Sequence, residues 1–233
     1  MMQRSARALT LAFLLSLLAC SLGVGAAQAQ ASTGAGANTT TAIALDHAPD
    51  HRGDPAALRH GAQLYATYCL NCHSAQFVRY GQWRTLGFSS AQIQAMTHVE
   101  KMSDPLTSTL RPDEVKAAYG AVPPDLSLEA HARSRDWLYT YLRSFYPDST
   151  RPSGWNNRVA RNTAMPHMLA ALQGTLPPSG YDASVADLVA YLAWMAEPER
   201  QTRERIGVGV LAFLAVLSFL MWRLSAACWK DIR

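Results

Sequence analysis

The stretch "YCLNCHSAQ", residues 68–76, sets Cys69 and Cys72 three positions apart and His73 directly after the second. On a helical turn that spacing stacks the two thiols, with an imidazole beside them. A thioredoxin-type dithiol needs a βαβ pattern around it, and none is legible here. A structural zinc site needs a second ligand pair. The remaining cysteines are Cys20, in an apolar N-terminal run, and Cys228, near the C-terminus. A disulfide across two intervening residues is strained and leaves His73 without a role. C-x-x-C-H is the attachment pattern for one covalent c-type haem, held by thioethers from Cys69 and Cys72, with His73 as axial iron ligand.

The second axial position decides between a closed electron carrier and an open reactive iron. A thioether closes the site and raises the potential. The methionine candidates are Met96, Met102, Met165, Met168 and Met195; His98 and His167 are further candidates. Met195 falls on the apolar face of a helical stretch and reads as core. Met165 sits in "NTAMPHM", in a long loop, with Pro166 stiffening the backbone behind it. Met165 is the expected metal ligand opposite His73.

Outward from the motif the chain reads as all-α: a haem domain with long loops and one C-terminal membrane helix. Asp54-Pro55 opens a helix that runs into Cys69, with Gly61 permitting close approach by another helix. Ser89 and Gln92 have capping-box spacing. "RPDEVKAAYG" carries proline near its start and glycine past its end. "DWLYTYLRSFYP" and "DASVADLVAYLAWMAEP" have apolar residues at helical spacing, each ended by proline. No stretch alternates as a strand does. Long loops are expected at 73–88 and 146–180.

The ends describe targeting. Arg4 and Arg7 precede an apolar run and Ala27-Gln28-Ala29, which reads as a signal peptide over 1–29. Residues 30–42 are small and polar, a flexible leader before a haem domain over 43–200. Residues 206–222, "IGVGVLAFLAVLSFLMW", carry no charge, so 201–229 is the expected transmembrane helix and flanks, with 230–233 a cytoplasmic tail. This places the haem domain in the periplasm of a bacterium, on a single-pass inner-membrane protein. The net charge of +4 comes from the two ends; residues 31–196 carry 13 basic and 13 acidic side chains. That balance removes any argument for nucleic acid.

Five segments together are more specific than the haem motif: "YCLNCHS", "VPPDLS" (122–127), "SRDWLYTYLRSFY" (134–146), "RPSGWNN" with "AMPHM" (151–168), and "WRLSAACWKDIR" after the apolar run. In order and spacing the chain resembles bacterial cytochrome c1, the haem subunit of the ubiquinol–cytochrome c reductase (bc1) complex, over about residues 43–233. The resemblance implies His73 and Met165 as axial ligands, Pro124 packed by the haem, and Arg133 near a propionate. Arg135 and Arg158 compete for that propionate role, and Trp137 is expected to pack against the haem. It also implies cytochrome b and a Rieske iron–sulfur protein as partners in a dimeric complex. The acceptor would be a soluble or tethered c-type cytochrome. The chain alone would carry electrons and not be an enzyme. The alternatives are a membrane-anchored c-type cytochrome of another respiratory complex, or an open-site haem enzyme or sensor. One departure stands out: many relatives present an acidic face to a basic cytochrome, and no acidic run exists here.

Overall fold

The computed structural model describes residues 43–230; the expected signal peptide, leader and last three residues lie outside it. The haem motif is delivered by helix α1 (Pro55–Tyr68), whose Asp54 cap accepts from the Ala56 amide at 2.8 Å. Its buried face, Leu58, Gly61, Ala62 and Tyr65, packs against α7 (Pro178–Ala196). The crossing is close because residue 61 lacks a side chain. A Cβ there would stand 2.2 Å from the Asp187 carbonyl and 2.7 Å from the Tyr191 Cβ. Beside the crossing, the two oxygens of Asp187 meet the Nδ1 atoms of His51 and His60 at 2.7 and 2.8 Å. Trp83, fully buried, donates its indole N–H to the Tyr191 hydroxyl at 2.8 Å, and Tyr65 packs on Tyr191 with ring centroids 5.4 Å apart. This aromatic centre belongs to α1, α7 and the 3-10 helix Tyr80–Leu86.

The remaining helices frame the loops. The Ser89–Gln92 capping box forms in both directions and opens α2 (Ser90–Thr97). Helix α3 (Pro112–Tyr119) ends at Gly120, whose φ of +85° is one that glycine tolerates. Helices α4 (Glu129–Arg133) and α5 (Arg135–Arg143) are separated by Ser134, and α6 (Ala170–Thr175) is short. Helix α8 (Arg200–Cys228) stays exposed along its described length. Its Thr202–Cys228 part is long and apolar enough to cross a membrane; 27 residues at 1.5 Å each rise about 40 Å against a hydrocarbon core of about 30 Å.

Two details differ from the sequence reading. Among the described residues there are four short strands: β1 (Ala75–Arg79) pairs antiparallel with β2 (Pro105–Leu106), and β3 (Phe145–Pro147) with β4 (Trp155–Asn157). With two to five residues each, they are too short to display alternation. For the same reason "DWLYTYLRSFYP" is helical only to Arg143: Phe145 leaves the helix to pair with Asn157. The expected loops at 73–88 and 146–180 therefore contain ladder and helical segments.

Candidate haem site

Helix α1 ends at Cys69, whose amide donates to the Tyr65 carbonyl at 2.9 Å. The chain then turns once more: Cys72 and His73 donate their amides to the Cys69 carbonyl at 3.1 and 2.8 Å. One carbonyl thus organises all three residues of the motif. Both cysteines are free thiols. Burial, and secondarily Cys72, pushes the Cys69 thiol up to about 12; burial also raises Cys72.

The imidazole is held from outside the motif. Nδ1 of His73 lies 2.8 Å from the Pro124 carbonyl, so Nδ1–H donates and Nε2 keeps its lone pair. Burial lowers the His73 pKa, opposed by the Pro124 carbonyl and by the charges of Glu129 and Asp125. A neutral ring with a fixed tautomer is the form that binds a metal. Four contacts keep the Pro124 carbonyl in place. Asp125 accepts from the Gln76 and Ser127 amides at 2.9 and 2.8 Å, Ser127 Oγ accepts from the Phe77 amide at 3.1 Å, and the Leu126 amide donates to the Ser74 carbonyl at 2.8 Å. The "PPDLS" segment is a strap latched along residues 74–77.

Met165 stands on a second construction. The Tyr141 hydroxyl lies 3.5 Å from the Met165 sulfur and 2.9 Å from Thr163 Oγ1. Asn157, fully buried, donates from Nδ2 to the Tyr141 carbonyl at 2.7 Å, while its Oδ1 accepts from the amides of Val159 and Ala160 at 2.8 and 3.1 Å. Asn156 donates to Asp148 at 2.8 Å and accepts from the amides of Asn157 and Asn162. Asn157 therefore ties the loop 148–165 to α5, and Asn156 braces the loop internally.

The Trp137 ring stacks on Tyr141, centroids 4.9 Å apart and 9° from parallel, and the Arg133 guanidinium lies 4.9 Å above the Trp137 ring. Arg133 Nε also meets Glu129 at 3.3 Å. The expected residues thus fall into two groups. Cys69, Cys72, His73 and Pro124 form one; Arg133, Trp137 and Met165 form the other, joined through Tyr141. Glu129 connects them, pairing with Arg133 and acting on His73. Arg135 is turned to Asp50 at 3.2 Å, and Arg158 is exposed. His167 is buried, stacked on Phe145 at 5.0 Å and bonded through Nε2 to Gln173 at 2.7 Å. Met195 is core, 2% exposed.

The residues fit a haem. Two free thiols, one imidazole with a free Nε2 and a thioether on a tethered loop are the donors such a group requires. Among the described residues, two buried side-chain nitrogens lack a partner, Arg151 Nε and His167 Nδ1, both on the segment around Met165. Arg151 Nε is a donor, whereas His167 donates through Nε2 to Gln173 Oε1 and leaves Nδ1 an acceptor; each buried unpaired group costs about 1–3 kcal/mol, which a ligand of matching polarity would recover.

Tyr141, Asn156, Asn157 and Asp148 were not legible as site residues. Tyr141 has the spacing of an ordinary core position, and only the adjacent asparagines of "GWNN" hinted at a built loop.

The Cytochrome C1 family model matches residues 47–232. The chain belongs to the cytochrome c1 family. A protein of Allochromatium vinosum called cytochrome c1 is 36% identical over 77% of this chain and 86% of its own length. One from Nitrosomonas europaea, called ammonia monooxygenase gamma subunit, is 39% identical over 82% of this chain and 89% of its own. A chain of a hyperthermophilic respiratory complex III is 20% identical, with a TM-score of 0.47 over 82% of this chain and 89% of that one. Within this family the site is a c-type haem site, and the exposed apolar α8 fits a membrane-anchored member.

Proposed function

We propose that this chain is the haem subunit of the ubiquinol–cytochrome c reductase complex and moves single electrons from the Rieske iron–sulfur protein to a c-type cytochrome. The carrying observation is the fixed His73 ring, with Nδ1 on the Pro124 carbonyl and Nε2 free, one turn after two free thiols. Cys69 and Cys72 would hold haem c covalently, with His73 and Met165 on its two faces. The bound group would supply an Fe(III)/Fe(II) couple. The chain's own contribution is to fix both ligands and exclude water. Pro124 fixes His73; Trp137 would pack against the haem, and Arg133 would answer a propionate as a planar multi-donor cation. No substrate bond changes here, so the chain by itself is not an enzyme.

Membrane topology follows the same reading. Residues 1–29 are removed as signal peptide, 30–42 lead into a periplasmic domain over 43–200, 201–229 cross the inner membrane, and 230–233 remain cytoplasmic. Cytochrome b and the Rieske protein are the membrane partners, in a dimeric complex. The name of the Nitrosomonas relative favours a second reading, the same carrier serving another membrane oxidoreductase; co-purification with or without cytochrome b separates the two.

The experiment is an absorption spectrum of the ferrous membrane protein with and without carbon monoxide, on wild type and Met165→Leu. Wild type is expected to ignore carbon monoxide and the variant to bind it with a lowered potential. Ready binding by wild type would mean an open iron, and an enzyme or sensor.

A further inference from the structure

We propose that the face around Met165 receives an acidic electron acceptor, the reverse of the basic cytochrome expected for relatives with an acidic face. This rests on the reading of Met165 as an iron ligand. From Ser149 to Tyr181 the chain has three arginines, Arg151, Arg158 and Arg161, and no acidic residue. The charge balance of the whole domain hides this local excess.

The structure shows that the excess is not neutralised. Arg158 and Arg161 are exposed and take part in none of the ion pairs among the described residues. Arg151 donates to the Asn162 carbonyl at 2.8 Å, not to a carboxylate. Of the acids that border the segment, Asp148 keeps its charge near Arg151, so Arg158 and Arg161 are the two cations without a compensating carboxylate. Asp148 accepts from Thr150 and Asn156, and Asp182 is held by Arg143 at 2.6 and 2.9 Å. Near His73, Asp125 spends both oxygens on backbone amides and Glu129 faces Arg133. Because the asparagine stitching fixes the loop to α5, Arg158 and Arg161 keep a set place relative to Met165. A fixed patch of one sign steers an oppositely charged partner and raises its encounter rate.

The test uses the whole detergent-solubilised complex, reduced with quinol, and two acceptors. One is a lysine-rich soluble cytochrome c; the other is the same cytochrome with its lysines succinylated. At low ionic strength the succinylated form is expected to be reduced about tenfold faster. That advantage should shrink as salt shortens the screening length. Arg158→Glu with Arg161→Glu should reverse the preference and leave the haem spectrum unchanged. Faster reduction of the basic form by wild type, or rates indifferent to salt, overturns the proposal. If the double variant does not assemble, the wild-type salt series decides alone. Reduction of neither acceptor, with a haem that ascorbate still reduces, rejects the electron-carrier reading and this proposal with it.

Discussion

The two halves of the site are held by different means. Around His73 the groups that touch the motif are backbone: one carbonyl gathers Cys69, Cys72 and His73, and a second carbonyl, from Pro124, aims the ring, with the Asp125 and Ser127 side chains holding the strap behind it. Around Met165 it is side chains: Asn156, Asn157, Thr163 and the Tyr141 hydroxyl carry the loop. A backbone anchor survives most substitutions, because every residue supplies a carbonyl and every residue except proline an amide N–H. A side-chain anchor is lost with one residue. The Met165 half should therefore be the half that mutation opens first.

The sharpest way to break that contrast is at the motif itself, where the proposed attachment would be covalent. Cys69→Ser with Cys72→Ser should abolish haem that resists acid–acetone extraction, read by pyridine haemochrome on the pellet. Retention of covalent haem would sink the attachment through these thiols. Next comes Asn157→Ala, which removes three buried hydrogen bonds. A loss of about 2–4 kcal/mol is expected, together with carbon monoxide binding by the ferrous protein; a closed iron in this variant would show that the stitching is dispensable.

Gly61→Ala is a control away from both halves. Its added Cβ must force α1 off the Asp187 carbonyl, at about 1–3 kcal/mol or more, lowering the melting temperature while the iron of the folded fraction stays closed. Tyr141→Phe isolates the hydroxyl. About 1 kcal/mol should go, and a partial weakening of the methionine-to-iron charge-transfer band near the red edge should follow.

The smallest effect concerns acid. Hydrogen bonds from Thr150 and Asn156, the Thr150 hydroxyl first, hold the Asp148 carboxyl below its ordinary value of 3.8. With the folded value depressed, its support of the loop is complete above about 3.8 and fades as pH falls through the lower folded value. Asp148→Asn should remove part of the acid dependence of that band in a pH titration. An unchanged acid profile would assign the sensitivity to other groups.

Much was legible in one dimension. C-x-x-C-H, the helix caps at Asp54 and Ser89, the glycine at 61 and the apolar run over 206–222 are local patterns, and each rests on chemistry within a few residues. Four strands and the early end of α5 were not legible, because Phe145–Pro147 is extended only where Trp155–Asn157 pairs with it. The amino-acid order by itself determined the C-x-x-C-H pattern, the family resemblance and the helical class, because those are set by residue type and spacing. Only the tertiary structure decided what holds each ligand candidate. Pro124 meets His73 across 51 positions, and Tyr141 meets Met165 across 24. A contact across such a separation follows from how helices and loops pack, and no spacing along the chain encodes it.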